Sequence, residues 1–177
     1  SLLTPCTCLR YNAGMIQANF HEDDARFMRM AMDACRQGID LGQTPFGACI
    51  VRDGQVLACT YNHVWNEFDP TAHAEVMAIR MACRDLQAVH LEGATIYSTT
   101  EPCPMCFSAI HWARISRIVF GGSIEDAQMF GFNELPVSNR ALKEQAGLKV
   151  DIHPHFMRND ALRLFEYWKE QPGSKSY

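Results

Sequence analysis

Between residues 20 and 41 the apolar positions recur every three or four residues. Met28, Met32, Cys35 and Ile39 share one face, while Arg29, Asp33, Arg36 and Asp40 fall largely on the other. This period predicts an amphipathic helix, and Gly42 supplies its stop. The pattern then shortens. Phe46 to Val51 and Gln55 to Asn62 read as two strands, and Asp53-Gly54 between them predicts a two-residue hairpin turn, since Gly accepts the positive φ such a turn requires. Helical spacing returns from about Ala72 to Ala88, with Val76, Ile79, Cys83 and Leu86 as the expected buried stripe and Arg80, Arg84 and Asp85 outside. A strand over 94–99 follows. Pro102 and Pro104 then suit a helix start, where the missing N–H of proline has no partner to lose.

Further along, Ile115 to Phe120 reads as a buried strand ended by Gly121-Gly122, and 123–137 as a loop segment with acids and aromatics. Ser138 is expected to cap a short helix that stops at Gly147. Leu148, Val150 and Ile152 alternate with Lys149, Asp151 and His153, a strand with one wet face. Asn159 or Asp160 is the expected cap of a last helix that turns Ala161, Leu164, Phe165 and Trp168 inward. Together these predict one α/β domain over residues 20–177: a three-layer α/β/α arrangement with a five-stranded mixed sheet, its later strands parallel through right-handed crossovers. Residues 1–19 show no period and read as a tail of unknown role. Its Cys6-x-Cys8 pair has no neighbouring His or Cys to complete a metal site.

Composition changes this picture little. The chain has 177 residues, 47% of them hydrophobic and 20% charged, which suits a single domain with a full core. A formal charge of -4 argues against a surface built for a polyanion. Eight Cys do not make a disulfide framework in a chain of this length. Cys35, Cys49, Cys59 and Cys83 sit in apolar runs and read as small buried residues, so a reducing cytoplasm is the expected location. No run approaches the roughly 20 apolar residues of a membrane span, and Leu2-Leu3 is too short for a signal segment.

The chemistry concentrates in His73-Ala74-Glu75 and Glu101-Pro-Cys-Pro-Met-Cys106. One His and two Cys give three ligands to a tetrahedral metal and leave the fourth position open, the arrangement of a catalytic zinc rather than a structural one. Glu75, two residues from His73, is near enough to serve as general acid/base without being a ligand. The 29 residues between His73 and Cys103 (74 to 102) fit a helix, a turn and a strand returning to one sheet edge. Both halves begin helices, whose N-terminal partial charge favours thiolate at Cys103 and Cys106 and an anionic intermediate beside them. His-x-Glu followed by Pro-Cys-x-x-Cys marks zinc nucleobase deaminases. The competing readings are a closed structural zinc, a redox dithiol, and a zinc-stabilised binding module, which would have no need of Glu75. Phe46, after Pro45, reads either as a core residue opening its strand or as an aromatic wall over a flat base.

Asp-Pro-Thr-Ala-His-Ala-Glu at 69–75 and Glu-Pro-Cys-Pro-Met-Cys at 101–106 resemble the cytidine deaminase superfamily. The resemblance is to the nucleoside deaminase branch, which includes guanine, plant guanosine and bacterial tRNA adenosine deaminases. It implies one zinc per chain on His73, Cys103 and Cys106, with Glu75 moving protons. It further implies substrate contacts at Asn62, Ala74, Trp112, Asp126 and Tyr177. The segment 120–132 and the final Tyr177 are similar to guanine deaminases, which implies conversion of guanine to xanthine and ammonia. A guanosine or other nucleoside deaminase matches much of the same loop, and a tRNA adenosine deaminase fits the 69–75 stretch equally well. The same resemblance implies a small purine substrate, while the net charge of -4 and the lack of a long apolar run argue against nucleic acid and membrane as partners. It also implies a homodimer with exchanged C-terminal segments, consistent with an apolar last helix around Phe165 and Trp168.

Overall fold

The computed structural model describes residues 20–177; the 1–19 segment, with Cys6-x-Cys8, lies outside the described residues. The first apolar stripe becomes α1 (Asp24–Asp40), burying Phe27, Met28, Ala31, Met32, Cys35 and Ile39 as its period requires. It packs on β1 (Gly47–Arg52) and β2 (Gln55–Tyr61). The approach is close enough that a Cβ at Gly47 would collide with the Ala31 carbonyl oxygen. Between the strands Asp53 and Gly54 have φ of 52° and 73°. Both turn positions are therefore left-handed, the geometry whose twist matches a hairpin, and Arg52 pairs with Gln55.

Five strands line up as β2-β1-β3-β4-β5, where β3 is Thr95–Thr100, β4 Arg117–Gly122 and β5 Asp151–His153. β1 runs antiparallel to β2 and β3, while β3, β4 and β5 are mutually parallel. Alternation along β1 sends Cys49 and Val51 to a core shared with α1 and α7 (Arg158–Lys169). Ala48 and Ile50 join the opposite core, with α3 (Ala74–Asp85) and α4 (Pro104–Trp112). α6 (Asn139–Ala146) adds Leu142 to that second layer. The fold is the expected three-layer α/β domain with a mixed sheet.

Several expectations need correction. α3 buries Ala74, Ala78 and Ala82 fully against the sheet, while of the expected stripe Ile79 and Cys83 pack on that core only partly buried, Val76 is half-buried and Leu86 lies outside. An i, i+4 row of methyl groups lets the helix lie closer to the strands than bulky side chains would, which leaves the larger residues on its flanks; Leu86 is 39% exposed. Two short helices were not foreseen, α2 (Val64–Glu67) and α5 (Ile124–Met129). α5 carries a reciprocal cap: the Asp126 N–H donates to the Ser123 hydroxyl, and the Ser123 N–H donates to the Asp126 carboxylate. α7 begins after Met157, held at φ 53°, so Asn159 and Asp160 lie within its first turn and do not cap it.

Beneath α1 sits a buried charge. Arg117 grips both oxygens of Asp24 at 2.7 Å, the Tyr97 hydroxyl donates to Oδ1 at 2.7 Å and the His21 N–H to Oδ2 at 2.7 Å. Burial alone would raise the Asp24 carboxyl, but these donors outweigh it and hold the group below the ordinary range. The cluster pins α1 to β3 and β4, and removing one partner of such a pair costs about 3–5 kcal/mol. Among the described residues no helix is long and apolar enough to cross a membrane.

Candidate metal and catalytic site

His73 and Cys103 are the N-caps of α3 and α4, in extended backbone (φ -65°, ψ 152° and φ -62°, ψ 166°). Neither side chain caps its own helix, so both turn toward each other, and Pro104 at N1 fixes the path into α4. The two helix starts lie past the carboxyl ends of β2 and β3, where open α/β sheets place their sites. There His73 Nδ1 is 3.6 Å from Cys103 Sγ and 3.5 Å from Cys106 Sγ, and the sulfurs are 3.6 Å apart.

Those separations test the fit of a metal. A tetrahedral zinc with Zn–S of about 2.3 Å and Zn–N of about 2.0–2.1 Å needs S···N of about 3.6 Å and S···S of about 3.8 Å. The trio meets this to within a few tenths of an ångström, so His73, Cys103 and Cys106 fit a zinc ion as one His and two Cys ligands. The hydrogen bond shared with Cys106, helped by His73, pushes the Cys103 thiol down to about 4, a ready thiolate.

Glu75 lies on the first turn of α3 and is buried. Its Oε2 is 3.5 Å from Cys106 Sγ, facing the metal position, and its Oε1 accepts from the Ser98 hydroxyl at 2.9 Å. Burial, the largest influence, raises its carboxyl. The group therefore holds a proton more readily than an exposed glutamate, as a proton carrier must.

A cavity of 310 Å³ opens over the site. His73 and Cys103 line it together with Phe132, Glu134, Leu135, Pro70, Met105 and Tyr177. Asn62, fully buried at the end of β2, anchors its Oδ1 on the Val64 N–H at 3.0 Å. Its Nδ2 donates to the Tyr177 hydroxyl at 2.8 Å, and the Tyr177 ring stands 5.7 Å from that of His73. Asn62 and Tyr177 are thus brought together with the metal trio and Glu75. Ala74 is buried as the first residue of α3. Phe46 does not line the cavity; it packs behind the lining residue Phe132, edge-on to it at 4.9 Å and to Phe165 at 5.7 Å, as a core residue.

Asp126 and Trp112 lie away from the site altogether. Asp126 is 1% exposed, engaged in the α5 cap and in a two-pronged ion pair with Arg158 whose Nε lies 2.8 Å from Oδ2. Its carboxylate is already saturated by structural partners, so it does not face a substrate. Trp112, at the far end of α4 from the metal, is 77% exposed.

Sequence reading missed Glu134, the acid that does line the cavity. Burial, and then the Cys103 thiolate, push its carboxyl up to about 7. It also missed Glu101, whose Oε1 accepts from the Asn139 N–H at 2.8 Å and Oε2 from the Ile124 N–H at 3.4 Å. One buried carboxylate beside Pro102-Cys103 thereby fastens both ends of the segment that carries Glu134.

Comparison with known proteins agrees with this geometry. Residues 21–122 match the family model of the cytidine and deoxycytidylate deaminase zinc-binding region. A guanine deaminase of Bacillus subtilis is 35% identical over 152 residues, covering 85% of this chain and 97% of that protein. A tRNA-specific adenosine deaminase of Agrobacterium fabrum is 41% identical over 138 residues, 75% of this chain and 90% of that protein. The solved guanine deaminase of Nitrosomonas europaea superimposes with a TM-score of 0.78 over 86% of this chain and 87% of its own, at 22% identity, a likeness of fold. All three zinc ligands and Glu75 fall within the matched region, and the chain belongs to the zinc-binding cytidine and deoxycytidylate deaminase family as a hydrolytic deaminase.

Proposed function

We propose that this deaminase acts on a free purine base and converts guanine to xanthine and ammonia. The observation that carries the reading is that Glu134 and Tyr177 line one small cavity, with the Asn62 amide bonded to the Tyr177 hydroxyl behind it. A carboxylate accepts N–H groups only, while the Asn62 Nδ2 donates to a ring nitrogen or carbonyl. A ring edge with both donors and acceptors, such as guanine presents, satisfies all of them. A buried polar group left without a partner would cost about 1–3 kcal/mol.

When bound, zinc supplies the Lewis acid that makes water a nucleophile near neutral pH. Glu75 takes a proton from the attacking water and passes it to the ring nitrogen beside C2 as the new C–O bond forms. It then takes the second proton from the added hydroxyl and delivers it to the amine; the C2–N bond breaks, ammonia leaves and the carbonyl of the keto product forms. Ser98 keeps the carboxyl turned toward the reacting atoms throughout. The N–H groups at the starts of α3 and α4 favour the negative charge that develops between them.

The similarity to tRNA-specific enzymes supports a second reading, deamination of a tRNA adenosine. Against it stand the formal charge of -4 and the small volume of the cavity, 310 Å³, into which Tyr177 intrudes as a lining residue. The test is ammonia release from guanine, guanosine, adenine, cytosine, cytidine and tRNA. Guanine should be turned over fastest, and Glu134→Gln should lower its kcat/KM by about ten-fold or more, equivalent to about 1.4 kcal/mol, with zinc content unchanged. A preference for adenine, cytosine or tRNA would overturn the assignment.

We also infer a homodimer, on different grounds from those the sequence suggested. Phe165 and Trp168 are buried in the chain's own core, so the last helix offers no apolar face to a partner. The exposed indole of Trp112 on α4 offers one. The bond from Asn62 to Tyr177 of the same chain supports closure of the pocket by the chain's own tail rather than by an exchanged segment. Light scattering should give twice the chain mass of 20.0 kDa; the monomer mass at all concentrations would contradict it. Six free cysteines among the described residues, two needed as thiolates, support a reducing compartment such as the cytoplasm.

A further inference from the structure

Trp65 takes no part in the chemistry above, yet three contacts join it to the tail, two to Lys175 and one to Tyr177. It sits in α2, three positions after Asn62. Its Nε1–H donates to the Lys175 carbonyl oxygen at 3.3 Å, and the Lys175 ammonium lies over the indole, 4.0 Å from the ring centroid. The same indole meets the Tyr177 ring edge-on at 6.2 Å. Lys175 is thus gripped through both backbone and side chain, two positions before the tyrosine. Trp65 is itself anchored, since its backbone N–H donates to Oε1 of the buried Gln43 at 3.2 Å. The neighbouring Val64 N–H is the donor that orients Asn62. One short turn therefore aims the Asn62 amide and presents the indole to the tail.

The tail needs such an anchor. Gly173-Ser174-Lys175-Ser176 has no apolar side chain to bury, and a segment of that composition left alone would sample many positions. Its docking also has a cost to the site. The Asn62 Nδ2 that a base would meet is occupied by the Tyr177 hydroxyl, so an incoming base must displace the phenol. A tail released altogether would have to find the site again in every cycle. A tail held at Lys175 would only swing.

We propose that Trp65 is a positioning residue: a latch that holds Lys175 so that Tyr177 leaves Asn62 to admit a base and closes again over it. This rests on the proposed role of Tyr177 as a substrate contact. The ammonium–indole contact of an exposed pair is weak, which suits a latch that must yield during turnover.

Two measurements on the zinc-loaded full chain test it. Trypsin cuts after Lys175, and loss of Ser176-Tyr177, followed by mass spectrometry, reports docking of the tail whatever the substrate is. Trp65→Ala should speed that cut by ten-fold or more. Trp65→Phe, which keeps a ring for the ammonium but has no Nε1–H, should fall between. Trp65→Ala should also lower kcat/KM for the best base of the panel by five-fold or more, and should have no further effect in a Tyr177→Ala background. An unchanged cut in both Trp65 variants, or the same loss of activity with and without Tyr177, would overturn the latch. A faster cut in a protein that prefers a base other than guanine would sustain the latch and refute the guanine assignment, so the two failures are distinct.

Discussion

Glu75→Ala should keep its zinc and its fold and lose turnover almost completely. The carboxyl is no ligand, since His73, Cys103 and Cys106 already make the trio, and its removal opens only a small polar space behind Ser98. What disappears is the group that moves protons from water to ring nitrogen and to the leaving amine. A positioned general acid/base contributes about 10²–10⁴-fold to a proton transfer, and here one residue serves more than one such step. The loss should therefore be at least about 10³-fold in kcat, with KM for the base changed much less. Steady-state kinetics beside metal analysis decides it. A variant that keeps zinc and retains even a tenth of its activity would remove Glu75 from the reaction.

Cys103→Ala should be nearly as inactive for a different reason, loss of the metal. Two ligands remain, and the thiolate that the surrounding donors hold most firmly is gone. Because His73 and Cys103 begin two different helices, zinc also joins α3 to α4. The variant should therefore melt at lower temperature than the zinc-loaded parent and no longer gain stability from added zinc. Metal content well below one per chain, with activity reduced in the same proportion or more, is the expected outcome. One equivalent of tightly held zinc in Cys103→Ala would show that this cysteine is not a ligand.

The legible parts of the molecule are those whose physics is local. The α1 stripe, the Asp53-Gly54 turn and the Ser138 cap could be read because period, positive φ and capping act within a few residues. The zinc trio could be read because ligand chemistry permits few residue types at few spacings. The face of α3 could not, because Ala74, Ala78 and Ala82 look unremarkable beside valine and isoleucine until the closeness of the sheet makes small size the advantage. Asp126 and Glu134 show the same limit within the site. Both are acids in one segment, and sequence offers no reason to prefer the second. The choice is made by Arg158, 32 positions after Asp126, which occupies that carboxylate and leaves Glu134 to face the cavity. Ser123-x-x-Asp126 did carry a readable capping signal, and it pointed to structure rather than substrate.

The Glu101 carboxylate carries one more consequence. It belongs to the strand-to-helix turn that delivers Cys103, yet it bonds the N–H groups that open α5 and α6. Any movement of the Glu134 segment is thus felt at the metal turn, and any distortion of that turn is felt at the segment. In thermodynamic terms zinc and base are linked ligands, and linkage is reciprocal: if bound zinc tightens the grip on a base by some factor, bound base tightens the grip on zinc by that same factor. A chelator should then strip the metal more slowly from protein saturated with product or inhibitor. Glu101→Gln would weaken that protection without touching either binding partner directly, so metal retention and choice of base would vary together in this enzyme.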